Sequence, residues 1–155
     1  MKRRGLLALG AAAVVALTVT AVAAAAVNFH NVTFTDNGTT LTVSGKLSGL
    51  GNADVTVNLS ATATPTATCT NKGGTQAPGQ NPATVNVTGS EAIPASEIKN
   101  GTVSFSVTTQ EPAQPTAQQA GCPNGNWTAQ ITDLAFTSFT VSVFQNGMLV
   151  ATFNG

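Results

Sequence analysis

The sequence predicts an all-β protein, an antiparallel immunoglobulin-like β-sandwich of about seven or eight strands that is preceded by a signal peptide. Short stretches of alternating apolar and polar residues recur along the chain with turn-forming residues between them, which is the pattern of a sandwich. Only 8 % of the 155 residues are charged, and the abundant threonine favours strands. Two cysteines suit a small exported domain. A jelly roll or a small barrel is the alternative architecture.

The N-terminal segment has the features of a secretory signal peptide. Three basic residues follow the initial methionine, residues 6–22 are almost entirely apolar, and small-x-small motifs end at Ala23 and Ala26. We therefore expect a signal peptide at residues 1–26 and one sandwich domain at residues 27–155, secreted to the extracellular space or the cell surface. An uncleaved membrane anchor is the alternative, since about 20 apolar residues just span a bilayer. Two adjacent arginines are also a feature of twin-arginine signals.

Three strands are predicted in the first half of the domain. Residues 28–35 and 41–47 alternate apolar and polar side chains on either side of an Asp-Asn-Gly turn at residues 36–38, which predicts an antiparallel hairpin. A third strand follows at residues 55–60. We expect its regular pairing to stop at Pro65, or Pro65 to lie at a sheet edge, because proline cannot donate to a strand ladder.

Two more strands are predicted in the middle of the domain, with a single helical turn between them. Residues 85–87 mark the fourth strand, and the alternation over residues 103–107 marks the fifth. Between them, residues 93–99 carry an early proline and are followed by Asn-Gly, which suits one turn of helix. Residues 70–82 and 110–122 are polar and rich in proline and glycine, so both are expected to be exposed loops.

Three strands are predicted at the C-terminal end. Alternation over residues 127–131 and again over 139–143 predicts two half-buried strands. Asn146-Gly147 predicts a type I′ hairpin turn into a last strand at residues 148–153. That strand carries apolar residues on both faces and has neither a charge nor a proline, the usual protections of an exposed edge. We expect it to be covered on both faces, as in a monomer; the alternative is an edge to which another chain adds.

Nine side chains on these strands are predicted to form the core. They are the apolar residues that fall in phase on one face of each strand. Trp127, the only tryptophan, is included because a large ring close to a disulfide is more often buried than exposed. The predicted core is Val43, Val57, Val87, Phe105, Val107, Trp127, Ile131, Phe139 and Val141.

The two cysteines predict one disulfide, Cys69–Cys122, because an exported chain meets an oxidising compartment. A free nucleophilic thiol is the alternative, but it would need a base, and His30 is the only histidine. Each cysteine borders one of the polar loops, so we expect the bridge to tie those loops together at one end of the sandwich. In immunoglobulin domains the tryptophan lies between the cysteines in sequence, whereas Trp127 follows both.

The composition of residues 27–155 excludes several classes of function. Three lysines face six acidic residues, a net charge of −3, so we expect no nucleic acid partner and no membrane contact after signal cleavage. No cofactor or metal motif is present, and a loop calcium at Asp36 or Asp54 is the alternative. A Ser-His-Asp triad would have to use His30, which is placed within a strand. We therefore expect no catalytic, cofactor-binding or metal-binding residue.

Two short segments, TATCTNKGG and GCPNGNWTA, surround the cysteines. With its leader and single disulfide, the chain resembles small immunoglobulin-like sandwich proteins that bacteria secrete, many of them of unassigned function. The resemblance covers residues 27–155 and implies no functional residue. We expect a secreted, non-catalytic structural or interaction protein that contacts its partner through the disulfide-tethered loops or an edge strand.

Two other classes of function stay open. A carbohydrate-binding module would take a polysaccharide as its partner, but such sandwiches usually present aromatic rings to sugars, and only 5 % of the residues are aromatic. A protease-inhibitory module would use the tethered loops, which have no obvious anchor residue. An enzyme with an unrecognised site is the third possibility.

Overall fold

The structure is a computed structural model that describes residues 26–80 and 82–155. These residues contain eight strands and one 3₁₀ turn, which are joined by loops. The predicted signal peptide lies outside those residues except for its last position, Ala26. The 3₁₀ turn is Ala95–Glu97, within the predicted helical turn. The strands are β1 (Asn28–Asp36), β2 (Leu41–Ser48), β3 (Val55–Thr70), β4 (Gln76–Pro78), β5 (Val85–Ile93), β6 (Val103–Thr108), β7 (Thr128–Gln145) and β8 (Met148–Asn154).

The strands form two sheets in which all pairing is antiparallel. The smaller sheet has the order β1-β2-β6, and the larger has the order β4-β3-β7-β8. Strand β5 also belongs to the larger sheet: it pairs with residues 55–63 of β3, whereas β4 pairs with residues 68–70. Apolar side chains from both sheets share one core. The prediction of an all-β, sandwich-like protein is therefore confirmed.

Both predicted hairpins are present. In the turn between β1 and β2, the Gly38 N–H donates to the Asp36 carboxylate at 2.8 Å. In the turn between β7 and β8, Asn146 has φ 54° and Gly147 has φ 74°. A two-residue type I′ turn requires positive φ at both positions, which asparagine and glycine adopt most readily.

The predicted core is confirmed except at one position. The exception is Trp127, whose side chain is partly exposed in the turn before β7. The adjacent buried cluster consists of the short side chains of Ala67, Ala120 and Ala129, and Trp127 is not a member of it. The buried members of the predicted set are Val43, Val57, Val87, Phe105, Val107, Ile131, Phe139 and Val141.

One long strand, β7, replaces the two strands that were predicted over residues 127–143. It is 18 residues long and runs beside β3, which is 16 residues long. The register between them shifts twice, which leaves Thr132 and Thr137 as extra residues of β7. Their hydroxyls donate to the carbonyls of Thr66 and Thr62, at 3.3 and 3.2 Å. These bulges change the phase of the alternation without ending the strand, so the predicted break is wrong.

Pro65 lies inside β3 and is buried. The strand does not end there, because Pro65 still pairs with β7, but it lies at a local sheet edge, which was the other outcome expected. On the side of β3 that faces β4 and β5, pairing with β5 ends at Ala63 and pairing with β4 begins at Thr68. On the other side Pro65 is opposite Leu134, whose N–H donates to the Gly38 carbonyl at 2.8 Å and not to β3. The missing proline N–H therefore removes no ladder hydrogen bond.

Candidate functional site

The disulfide Cys69–Cys122 is present, with the Cα atoms 5.7 Å apart and a sequence separation of 53. Cys69 lies in β3, opposite Ala77 of β4 and Ala129 of β7, and Cys122 lies in the loop between β6 and β7. The bridge thus joins a strand end to a loop, not two loops as expected. In the chain-entropy model, a closed loop of this length contributes about 4 kcal/mol to stability.

The two polar loops beside this bridge meet at one end of the larger sheet, as predicted. The backbone carbonyl of Gln80 in the first loop lies directly against Gly121 in the second. The second loop is also attached to β7, because the Ile131 N–H donates to the side-chain oxygen of Gln114 at 2.6 Å. The first loop contains the short strand β4, which the polar sequence did not predict.

The loops enclose a cleft of about 350 Å³ at the point where β3 has neither β4 nor β5 beside it. Two glutamines, Gln114 and Gln119, form part of the lining of this cleft. Their side-chain oxygens accept hydrogen bonds from the N–H groups of Ile131 and Thr116, so mainly their amide NH₂ groups are left for a ligand. The volume is at the lower end of the range for small-molecule sites. The apolar lining comes chiefly from Pro65, Pro82, Val85, Pro115 and Ile131.

A second candidate is β8, the outermost strand of the larger sheet beside β7. At its start, Met148 is 71 % exposed, Leu149 56 % and Val150 37 %. The expectation that this strand is covered on both faces is therefore wrong. The register shift between Val143 and Phe144 leaves Val150 without a partner. Such an extra residue reverses the alternation of side chains along the strand, and it places Leu149 on the outer face of the sheet, opposite Phe144.

The backbone of β8 adds hydrogen-bonding groups at the same edge. Phe139 and Gly155 exchange both N–H···O bonds, at 2.8 and 3.0 Å. Hydrogen-bonded and non-hydrogen-bonded pairs alternate along an antiparallel ladder, so Thr152 and Asn154 direct their peptide groups away from β7. Among the described residues, no strand pairs with that edge.

The outer face of the larger sheet provides a third candidate. Cross-strand partners lie on the same face of a sheet, so the register defines rows of side chains across β5, β3, β7 and β8. Every side chain in three successive rows is a hydroxyl or an amide, and none is ionisable. We call this surface the hydroxyl–amide face. Its rows are Asn86–Thr62–Ser138, Thr88–Ser60–Thr140–Asn154 and Ser90–Asn58–Ser142–Thr152.

Hydrogen bonds across the strands orient the amides of this face. Three times a hydroxyl donates to the side-chain oxygen of an asparagine on the neighbouring strand. That bond uses one of the two lone pairs of the asparagine oxygen and leaves the NH₂ group, with its two donors, for solvent or a ligand. The pairs, at 2.7 to 2.9 Å, are Ser90 with Asn58, Thr62 with Asn86, and Thr140 with Asn154.

A depression of about 370 Å³ lies on the hydroxyl–amide face. Gln110 lines it from the segment after β6, and its N–H donates to the Thr88 carbonyl at 2.8 Å. Gly89 makes this approach possible, because any Cβ at that position would collide with the carbonyl oxygen of Thr108. The sequence shows these polar residues singly, and only the strand register shows that they form one surface.

The residues that the sequence singled out for chemistry lie apart from these surfaces. His30 is exposed on β1, and its Nε2 is 2.7 Å from the Ser48 Oγ. The candidate calcium ligands Asp36 and Asp54 each accept a backbone N–H of a nearby turn at 2.8 Å. Residues 26–80 and 82–155 contain no group of three or more His, Cys, Asp or Glu side chains that could hold a metal.

Comparison with known proteins finds no family model and no curated protein that the chain matches. The resemblance to small secreted sandwich proteins therefore stays a prediction. Within the part of the chain that the structure describes, no helix has the length and apolarity needed to cross a membrane.

Proposed function

We propose that the chain is an exported, non-catalytic interaction protein with an immunoglobulin-like fold, which assembles with a second copy of itself through β8. The strand order supports the fold. Strands β1, β2 and β6 occupy the positions of A, B and E in one sheet, and β3, β7 and β8 occupy those of C, F and G in the other, with β5 in the place of C′. The disulfide differs from that of antibody domains, because it joins the C position to the loop before F.

Three features support export. A disulfide persists in an oxidising compartment. The basic and then apolar leader, with small residues at its end, is of the kind that signal peptidase removes, and its alanine richness fits a bacterial source. The surface relies on hydroxyl and amide groups more than on charge, as the 8 % of charged residues indicates.

The observation that carries the proposed function is the exposed start of β8. Natural edge strands are usually protected by lysine, proline, a short length or a covering segment. β8 has neither a charge nor a proline and presents Met148, Leu149 and Val150. Val150 also borders a groove formed with Val27 and Leu50, so the apolar surface continues past the strand. Antiparallel pairing of two β8 edges about a two-fold axis would bury these side chains and satisfy the outward peptide groups.

A single substitution tests this proposal. Leu149→Lys places a charge on the exposed edge, and paired copies would bring two such charges together. We expect the wild-type chain to form dimers in sedimentation velocity as its concentration rises, and the variant to stay monomeric with an unchanged melting temperature. The matched control is Thr35→Lys, an exposed position on β1, which is the edge of the other sheet.

The control variant should dimerise as the wild type does. A wild-type chain that stays monomeric up to its solubility limit, or a Leu149→Lys variant that dimerises as strongly as the control, would contradict the assignment of β8 as the assembly edge.

A further inference from the structure

The hydroxyl–amide face differs from β8 in the kind of surface it offers. Its side chains are hydroxyls and amides on four neighbouring strands, and no ionisable group lies in its three rows. At about 4.8 Å between strands, the four strands span roughly 14 Å. A surface of this chemistry gives little to an apolar protein partner, which needs apolar area to bury. It also offers no cation to a phosphate or a sulfate.

The face is rich in directed donors and acceptors. Asn58, Asn86 and Asn154 each accept a hydroxyl from the next strand on the side-chain oxygen, which fixes the amide and leaves both N–H donors for a ligand. The hydroxyl oxygens of Ser60 and Ser142 add acceptors and further donors between them. A ligand for this surface must itself combine many hydroxyls with no net charge.

The depression gives that ligand a place to sit. Its polar lining comes from hydroxyl and amide side chains, including Gln110, which reaches the face because Gly89 lets the end of β6 approach β5. A volume of about 370 Å³ falls within the range of small-ligand sites. Sugar rings expose the hydroxyl pattern that these groups complement.

We propose that the hydroxyl–amide face binds an uncharged polysaccharide, with one sugar unit in the depression and neighbouring units along the adjacent rows. Charge complementarity favours a neutral chain over an acidic one, because no cation of the face would offset the desolvation of a carboxylate or a sulfate. The face has no exposed aromatic ring for stacking, so each sugar is held weakly by hydrogen bonds. A polymer that engages several rows gains affinity through effective concentration. The site shares strand β8 with the proposed assembly edge through Thr152 and Asn154, but its three rows contain none of the exposed apolar side chains at the start of β8.

Sedimentation with insoluble polymers tests the proposal. The folded, oxidised protein is mixed with cellulose, chitin or starch granules, and the protein left in the supernatant is measured by Trp127 fluorescence. We expect depletion by at least one neutral polymer, reversed by soluble oligosaccharides cut from the same polymer. Polygalacturonate and heparin immobilised on beads, as acidic comparators, should retain less.

Asn58→Asp is the decisive variant, because it keeps the oxygen that accepts from Ser90 and replaces the two free donors with a charged acceptor. We expect about fivefold weaker retention, and Ser60→Glu, which adds a charge to the lining of the depression, should weaken it at least as much. The control is Asn126→Asp, the same change at an exposed turn residue outside the face.

The control should bind as the wild type does, and all three variants should melt within a degree or two of it. Retention by none of the neutral polymers would overturn the proposal. So would retention that oligosaccharides do not reverse, that Asn58→Asp and Ser60→Glu do not weaken, or that is stronger on the acidic comparators.

Discussion

Strands β3 and β7 run side by side, yet their two ends are held in different ways. Over the first half of β3, residues 55–63, the inward side chains belong to a large apolar core that both sheets supply. Beyond Pro65 the apolar cluster consists of Ala67, Ala120 and Ala129 with Cys122 packed against it. Loops cover this end in place of a second sheet, and the disulfide lies within it.

This difference shows how a thin part of a small domain can be stabilised. Three alanines bury little apolar area, and the stabilisation from burial scales with that area. The disulfide contributes about 4 kcal/mol in the chain-entropy model, which is comparable with the burial of two large apolar side chains. The core end is thus held by packing and the disulfide end by a covalent bond.

The largest expected effect is at the core end. Phe105 is 3 % exposed and contacts the ring of Phe29 edge-on, with the centroids 6.0 Å apart. Phe105→Ala should lower the free energy of unfolding by about 3–5 kcal/mol, because it removes a buried ring and leaves a cavity. Urea denaturation of the oxidised protein measures the change. Ser104→Ala, at an exposed position on the same strand, is the control and should change it by less than about 0.5 kcal/mol. A loss below about 1 kcal/mol for Phe105→Ala would mean that packing does not hold this end.

The next effect is at the disulfide end. The double variant Cys69→Ala with Cys122→Ala should lose about 2–4 kcal/mol while keeping the fold. Amide hydrogen exchange then separates the two ends: the amides of residues 68–70 and 128–130 should exchange through local opening, faster than those of residues 57–59 and 141–143. Reduced wild-type protein should show the same pattern. In the chain-entropy model the bond restricts the unfolded state, which by itself would accelerate exchange equally at both ends. A larger acceleration at residues 68–70 and 128–130 would show that the bond also restrains its own end, and equal acceleration would contradict that local role.

A smaller pair of effects compares two glutamines, one at each end of β7. Gln145 is 9 % exposed and bonds to the Gly51 N–H and to the carbonyls of Gly51 and Ala53. Gln114 makes one such bond, to Ile131, and is itself exposed. Gln145→Leu should lower the free energy of unfolding by about 2 kcal/mol, and Gln114→Leu should lower it by about 1 kcal/mol or less. The smaller loss is expected because water can reach the exposed Gln114 site and replace its bond to Ile131. Thermal unfolding of both variants gives the ranking, and the reverse order would contradict it.

Local signals in the sequence were enough for much of the fold. Asn146-Gly147 was enough to predict the last turn, because a type I′ turn requires positive φ at both central residues and asparagine and glycine adopt it readily. The alternation around Val57 and Phe105 identified the buried faces, and export with two cysteines identified the disulfide. Each of these inferences depends on a few neighbouring residues.

The features that the sequence did not predict depend on the partner strand. Thr132 and Thr137 look like a break in the alternation, and only the register with β3 shows that they are bulges. Pro65 is tolerated because β4 and β5 leave a gap beside it. The candidate sites could not be predicted for the same reason. Leu149 is exposed because the bulge at Val150 changes the face on which it lies, and the bulge is defined by the register with β7. The hydroxyl–amide face exists only once four strands are placed in register.

The position of the disulfide also sets how the protein responds to mechanical force. A tensile load applied at residues 27 and 155 can pull out the strands before Cys69 and after Cys122, but the 53-residue separation that the bond closes contributes no length. At about 3.4 Å per extended residue, roughly 180 Å of contour length is withheld. Strands β4, β5 and β6 lie inside that closed loop. In the stretched, oxidised molecule these three strands therefore bear no tensile load. Reduction of the disulfide would release the closed loop and add its contour length in one further extension step.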